Sequence, residues 1–286
     1  LATAEHLAVA DDSTPGTLRR CAGGVGRNIA ENLARLDIDV TLVSAVGNDE
    51  FGRQILADAK VAEVDVSTVS VHPELATASY TAIHGSDGEL LHAVSDMRIF
   101  DQYVLPAFKS IDPIITVADA IVLDANLPES VLAAIADACR GKIIVADSVS
   151  RHKCKRLGNV LNSLSLLKVN RAEAIALTDC KDKSDEALLG DLHKLGVSQL
   201  LLSAGSDGVV LSEGTDVHRL SVSPGTKVVS TSGAGDAMLS GVLAARLSGA
   251  SAAEQLRWGA VAAAETVGVH SACSESISRE LLARQT

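Results

Sequence analysis

The chain has 286 residues, 47% of them hydrophobic, enough to bury a large core in one main domain with at most a small appendage. A formal charge of −11 and the absence of a Lys/Arg-rich run exclude a general binder of nucleic acid or anionic membrane, while leaving room for a small phosphorylated ligand in a local electropositive pocket. Five cysteines without Cys-x-x-Cys spacing argue against a zinc site or a disulfide framework and for a reducing cytoplasm, and no apolar run reaches membrane-spanning length.

Residues 1–22 read as irregular, with Asp11-Asp12-Ser13-Thr14-Pro15-Gly16 as a turn cluster. Gly23-Gly24-Val25-Gly26-Arg27-Asn28 then opens a helix whose apolar positions are Ile29, Leu33 and Leu36. The glycines let the backbone approach a ligand closely, and Asn28 can donate and accept towards adjacent hydroxyls of a sugar. A dinucleotide fingerprint is a poor competitor, because Ile29 replaces the third Gly and no clear strand leads in. A plain turn before a helix is the other alternative. Residues 40–46 read as a buried strand, and the loop 47–52 leads into a helix near 53–58.

Short strands follow at 64–66, 69–71, 80–83 and 89–94, the last two joined as a hairpin through Gly85-Ser86-Asp87-Gly88. This β-insert is a candidate lid or dimer contact. From residue 120 strands and helices alternate: strands at 120–124, 142–146, 166–169 and 199–203, helices at 129–139, 155–163, 171–177 and 183–195. Residues 208–212 and 217–221 read as an antiparallel pair, and helices near 235–248, 252–266 and 276–284 close the chain. Such alternation predicts an α/β fold, a Rossmann-like, mostly parallel sheet flanked by helices, with ligands beyond the C-terminal strand ends.

Three further loops carry chemical residues. Asn170-Arg171-Ala172-Glu173 reads either as a helix capping box or as a polar pair holding water around a nucleotide's magnesium ion. Ser203-Ala204-Gly205-Ser206-Asp207-Gly208 could line a nucleotide or simply turn a hairpin. Thr231-Ser232-Gly233-Ala234-Gly235-Asp236 places amides at a helix N-terminus, where an anion is favoured, beside a carboxylate that would repel it. The pair makes sense if Asp236 faces a hydroxyl that loses its proton while the amides of Gly233, Ala234 and Gly235 hold a phosphoryl group. On these residues alone, Asp236 could equally complement the helix dipole.

Taken in order, Gly23-Gly24-x-Gly26-x-Asn28, Asn170-x-x-Glu173, Ser203-x-Gly205-x-x-Gly208 and Gly233-Ala234-Gly235-Asp236 resemble the ribokinase-like (phosphofructokinase-B) family of sugar and nucleoside kinases. The resemblance covers nearly the whole chain. It implies one kinase domain over residues 1–286, with a β lid formed by insertions near 8–22 and 64–98. It also implies ATP as donor, Asp236 as base, and Gly23, Gly24 and Asn28 on the sugar. Asn170, Glu173, Ser203, Gly205, Gly208, Thr231, Gly233 and Gly235 would lie along ATP, with Mg2+ held by Asn170 and Glu173 through water. The family usually begins with a strand whose Asp grips the sugar hydroxyls, and the resemblance places that strand upstream of Leu1.

Ser13-Thr14-Pro15-Gly16, Ser44-Ala45-Val46-Gly47-Asn48-Asp49, Thr77-Ala78-Ser79-Tyr80, Ser95-Asp96-Met97 and Asp147-Ser148-Val149-Ser150-Arg151-His152-Lys153 are similar to the pseudouridine-kinase branch of this family. That likeness implies phosphorylation of a nucleoside 5′-hydroxyl, with Thr77, Asp96 and Lys153 at the substrate, although Asp96 and Lys153 could equally be solvated charges. Another nucleoside or a free sugar is the alternative substrate. A non-catalytic nucleoside- or sugar-binding protein is the alternative of a different class. Ser230 stands where the family more often has Asp or Asn at a monovalent-cation site, which weakens the case for K+. A cytoplasmic homodimer joined through the lids completes the expectation.

Overall fold

The computed structural model of the chain describes residues 2–4, 15–85, 90–102, 111–182, 184–221 and 228–284. Two short strands, β1 (Ala2–Ala4) and β2 (Gly16–Leu18), precede helix α1 (Val25–Ala34). Strand β3 (Ala45–Gly47) leads through α2 (Glu50–Val61) to β4 (Ser70–His72), β5 (Ser79–His84) and β6 (Leu90–Asp96). Short helices α3 (Arg98–Asp101) and α4 (Asp112–Val117) precede the regular alternation. That alternation runs β7 (Ala120–Asp124), α5 (Glu129–Ala138) and β8 (Ile143–Asp147). A 3₁₀ segment (Cys154–Ser163) comes next, then β9 (Leu166–Asn170), α6 (Arg171–Thr178), α7 (Asp185–Lys194) and β10 (Gln199–Ser203). The antiparallel β11 (Val209–Glu213) and β12 (Asp216–Leu220) lead to α8 (Ala234–Leu247), α9 (Ala252–Val267) and α10 (Arg279–Arg284).

The main sheet has the order β12-β11-β10-β9-β8-β7, parallel from β10 to β7. Its strands are apolar on both faces because both are covered. Leu123, Ile144, Ala146, Leu167, Val169, Leu200 and Leu202 pack among residues of α5, α6, α7 and the 3₁₀ segment. Val145, Leu166 and Leu201 pack on the opposite side against α1, α8, α9 and α10. Helices α8 and α9 approach closely because Gly241 and Gly259 present no side chain, and a Cβ at Gly241 would lie 2.7 Å from the Trp258 carbonyl oxygen. This contact sets how deep α8 lies, and hence where its N-terminus points.

Strands β2-β1-β5-β6 form a separate four-stranded sheet, the lid. The 1–22 segment is therefore not irregular throughout. Its residues show no clear strand alternation, but β1 gains hydrogen bonds by joining β5, and β2 by joining β1. The β5–β6 hairpin is antiparallel as expected, and its turn at 86–89 lies outside the described residues, as does most of the 11–16 turn cluster.

The 64–72 stretch does not belong to that sheet. It pairs instead with 41–47, through a bridge between Thr41 and Asp65 and through the parallel β3–β4 pair. This corrects the expected continuous strand at 40–46. Between the two pairings one side carries a residue more than the other, and the turn closed by the Val69 N–H on the Val66 carbonyl breaks the ladder. Among the described residues, the other edge of 40–46 has no partner strand, nor does the second edge of β7. A cavity of about 1450 Å³ lies between them and extends to the lid. The helix expected over 155–163 is present as a 3₁₀ helix, Cys154–Ser163.

Gly241→Val should strain the α8–α9 contact, with an expected loss of about 1–3 kcal/mol from overpacking. Urea unfolding of the purified variant measures it, and unchanged stability would contradict the tight approach.

Candidate active site

The parallel register sets up the site. Asp124 pairs with Asp147, and Asp147 with Lys168, so the last residues of β7 and β8 and the middle residue of β9 form one row of charged side chains. Alternation puts that row on the sheet face covered by α1 and α8, whose N-termini both reach it. Asp124 Oδ2 accepts the Gly26 N–H at 3.0 Å, which caps α1 from 98 residues away. Asp147 lies 3.0 Å from Lys168 Nζ, both almost fully buried. The Lys168 ammonium loses hydration on burial, yet the charges of Asp147, Glu173 and Asp236 more than compensate and raise its pKa.

Helix α8 begins at Gly233, which adopts a left-handed conformation (φ 80°). A Cβ there would collide with the Ala272 carbonyl, so the turn requires glycine. No side chain caps this 14-residue helix. The Ala234 N–H makes a long bond to the Thr231 carbonyl (3.4 Å), while among the described residues the N–H groups of Gly233, Gly235 and Asp236 have no backbone partner. Asp236 follows directly, 7% exposed, its Oδ2 accepting from Asn28 Nδ2 at 2.8 Å. Burial, reinforced by the Asp147 carboxylate, pushes its pKa up to about 7, against smaller downward pulls from Asn28 and Lys168. A buried carboxylate titrating near neutrality beside free helix amides can take a proton from a hydroxyl while an anion binds alongside.

The expected site residues separate into those the fold brings together and those it does not. Gly23, Gly24 and Asn28 line the large cavity together with Gly233 and Ser232. Thr77 also lines it, but its hydroxyl accepts from the Gly47 N–H (2.9 Å) and donates to Asp49 (2.7 Å), so it fastens the loop that begins α2. Asn170 and Glu173 form a reciprocal capping box on α6, each accepting the other's backbone N–H at 2.9 Å. Glu173 Oε2 also accepts from Ser148 Oγ at 2.6 Å, and among the described residues Oε1 has no hydrogen bond. Ser203 sits beside Asn170 in the β9–β10 ladder. Gly205 and Gly208 flank the turn that follows, tied to α6 by the Arg171–Asp207 ion pair. Ser230 Oγ accepts the Ser232 N–H at 3.2 Å. Asp96 is clamped by Arg98 at 2.7 and 2.9 Å, and Lys153 donates to Asn126 at 2.6 Å; neither reaches the other or Asp236.

Sequence reasoning passed over Asp124 and Lys168 and used Asp147 only as part of a segment. A signal was present, since Ala-Ile-Val-Leu-Asp and Ile-Ile-Val-Ala-Asp are apolar strands that each end in one acid, and Lys168 is a lone charge inside Leu-Leu-Lys-Val.

Comparison with known proteins agrees with this geometry. The pfkB family carbohydrate kinase pattern matches residues 2–279. The chain belongs to the pfkB carbohydrate kinase family. It is 36% identical over 252 residues to the pseudouridine kinase of Escherichia coli (strain K12), covering 86% of this chain and 80% of that one. Among solved structures, a carbohydrate kinase from Agrobacterium tumefaciens superposes with a TM-score of 0.85 at 33% identity, covering 99% of this chain and 92% of that one. Arabidopsis thaliana ribokinase complexed with ribose and ATP has the same fold, with a TM-score of 0.85 at 23% identity and coverage of 99% and 94%. As a pfkB-family member the chain is a sugar or nucleoside kinase, a phosphotransferase with an alcohol acceptor. Among the described residues no helix is long and apolar enough to cross a membrane.

The raised pKa of Asp236 predicts how stability depends on pH. The folded state resists its ionisation, so its contribution to stability falls as pH rises from the ordinary carboxylate value of 3.8 and is fully lost above about 7. Asp236→Asn should therefore gain stability relative to the parent at pH 8 and lose that advantage by pH 4. Thermal unfolding at the two pH values reads this, and a pH-independent difference would contradict the burial argument.

Proposed function

We propose that the protein transfers the γ-phosphoryl group of ATP to the 5′-hydroxyl of a nucleoside, pseudouridine in particular. The observation that carries the transfer is the 2.8 Å Asn28–Asp236 hydrogen bond, which fixes a carboxylate of raised pKa beside the uncapped N-terminus of α8. Asp236 takes the proton of the attacking hydroxyl, and the free amides of Gly233 and Gly235 receive the charge that builds on the transferring oxygens. Gly23, Gly24 and Asn28, facing the same cavity, hold the sugar. Thr77 shapes the far wall through Asp49. The nucleotide lies along Thr231, the capping box of Asn170 and Glu173, and the loop of Ser203, Gly205 and Gly208.

The donor set near Glu173 fits a hydrated magnesium ion rather than a directly ligated one. Among the described residues no group of three metal-binding side chains converges, while Glu173 Oε1 and the Asn170 carboxamide are oxygen donors that suit bound water. When bound with ATP, Mg2+ neutralises phosphate charge. The lid closes over the sugar and excludes water as a competing acceptor. Leu18, Tyr80 and Val94 leave apolar surface exposed on the lid strands, and a second copy of the chain would cover it.

Pseudouridine as the substrate is supported by the likeness to the bacterial pseudouridine kinase. Asp96, held by Arg98, and Lys153, bonded to Asn126, are the side chains assigned to the base, each apart from the Asp236 that meets the 5′-hydroxyl. Initial rates with pseudouridine, uridine, adenosine, ribose and fructose, each with ATP, test this reading. Pseudouridine should give the highest kcat/KM, and a preference for ribose would overturn the nucleoside assignment. Asp236→Asn should lower kcat by about 10²–10⁴-fold with nucleoside affinity little changed. Near-parental kcat in that variant would remove Asp236 as the base.

A further inference from the structure

The start of α8 lies directly against Lys168 of β9. A Cβ added at Gly235 would lie 2.7 Å from Lys168 Nζ, so the ammonium rests against the first turn of α8. A buried cation there is unusual, because a helix N-terminus is itself electropositive. Asp147 at 3.0 Å is the ion-pair partner of Lys168, the Glu173 and Asp236 carboxylates act on it from further away, and among the described residues Nζ has no other hydrogen-bond partner. Asp147 is itself held in place. Its Oδ1 accepts the Val149 N–H at 2.7 Å, with Val149 kept at φ 65°, a region β-branched residues rarely enter. Its Oδ2 is left facing Lys168, without a donor in hydrogen-bond geometry.

Building on the kinase reading above, we infer that Lys168 is a catalytic residue whose ammonium contacts the phosphoryl group in transfer, and that Asp147 is the positioning residue that aims it. The ammonium lies against the turn that carries the free amides of Gly233 and Gly235, so a phosphoryl group held at that turn would meet the ammonium as well. Lys168 keeps its proton throughout and forms no covalent bond. Its action is electrostatic, strongest as charge spreads over the phosphoryl oxygens.

The same ammonium acts on the base. The groups facing Asp236 are the Asp124 and Asp147 carboxylates, the Lys168 ammonium, the Cys273 thiol and the Asn28 carboxamide. Lys168 favours ionised Asp236, and Asp147 disfavours it. Removing one or the other therefore moves the acidic limb of the pH–rate profile in opposite directions, which reads their charges on the base, while kcat on the pH plateau reads the contact with the phosphoryl group.

The test uses Lys168→Met, Asp147→Asn and the double variant with ATP and the best acceptor of the parent protein. Lys168→Met should lower kcat about 10²–10³-fold, leave the acceptor KM within a few-fold, and shift the acidic limb to higher pH. Asp147→Asn should retain more activity and shift that limb to lower pH. Lys168→Met alone leaves a buried unpaired carboxylate and its folding is at risk, so the double variant, which removes both charges, should restore the thermal midpoint. Its kcat should stay as low as that of Lys168→Met. Recovery of parental kcat in the double variant would reduce Lys168 to a structural partner and overturn the inference, and unshifted acidic limbs in the two single variants would overturn its effect on the base. A parent protein that phosphorylates no nucleoside or sugar would instead overturn the kinase reading itself.

Discussion

The hydrogen bond between Asn28 and Asp236 is the constraint on which the rest of the site depends. It joins residues 208 positions apart and holds the first turns of α1 and α8 at one level above the sheet. For α8 to reach that level it must lie deep against α9, and the Gly241 and Gly259 contacts allow this. For α1 to do so, its N-terminus must be satisfied without a local cap, and Asp124 supplies the acceptor from the end of β7. Two helices thus begin over the ends of β7, β8 and β9, and the cleft between them is lined by free backbone amides.

The electrostatics follow from that placement. Three carboxylates, Asp124, Asp147 and Asp236, crowd into a region of little water, and Lys168 is the cation within it. Burial, with repulsion from Asp147 and Asp124 added, keeps Asp236 basic enough to accept a proton near neutral pH, which an exposed aspartate cannot do. The arrangement works against folding stability. Free amides at α8, a left-handed Val149 and a carboxylate with raised pKa each cost stability, and of these the free amides are the groups an arriving anion would satisfy.

Much of this was legible in the chain. The strands at residues 120–124 and 199–203 follow from β-branched and leucine-rich runs closed by polar residues, and the antiparallel pair near 209–220 from its turn chemistry. Asn28 and Asp236 could be named, but their bond could not, because nothing local links two helix starts so far apart. Residues 40–46 misled for the opposite reason. Their apolar, β-branched pattern is real, yet a strand needs a partner in register, and the turn at 66–69 takes that register away. Strand β1 went unseen because its pairing with Ile83 of β5 is long-range. Lys168 was hidden inside a leucine-rich strand, where only the facing Asp147 gives it meaning.

The most direct test of the account is the pH dependence of kcat/KM for the unmodified protein with saturating ATP. A single buried carboxylate acting as base, with its pKa pushed up to about 7, predicts a rate that falls tenfold per pH unit below that value. A profile that stays flat down to pH 5 would contradict it, since a base with an ordinary carboxylate pKa would still be fully ionised there.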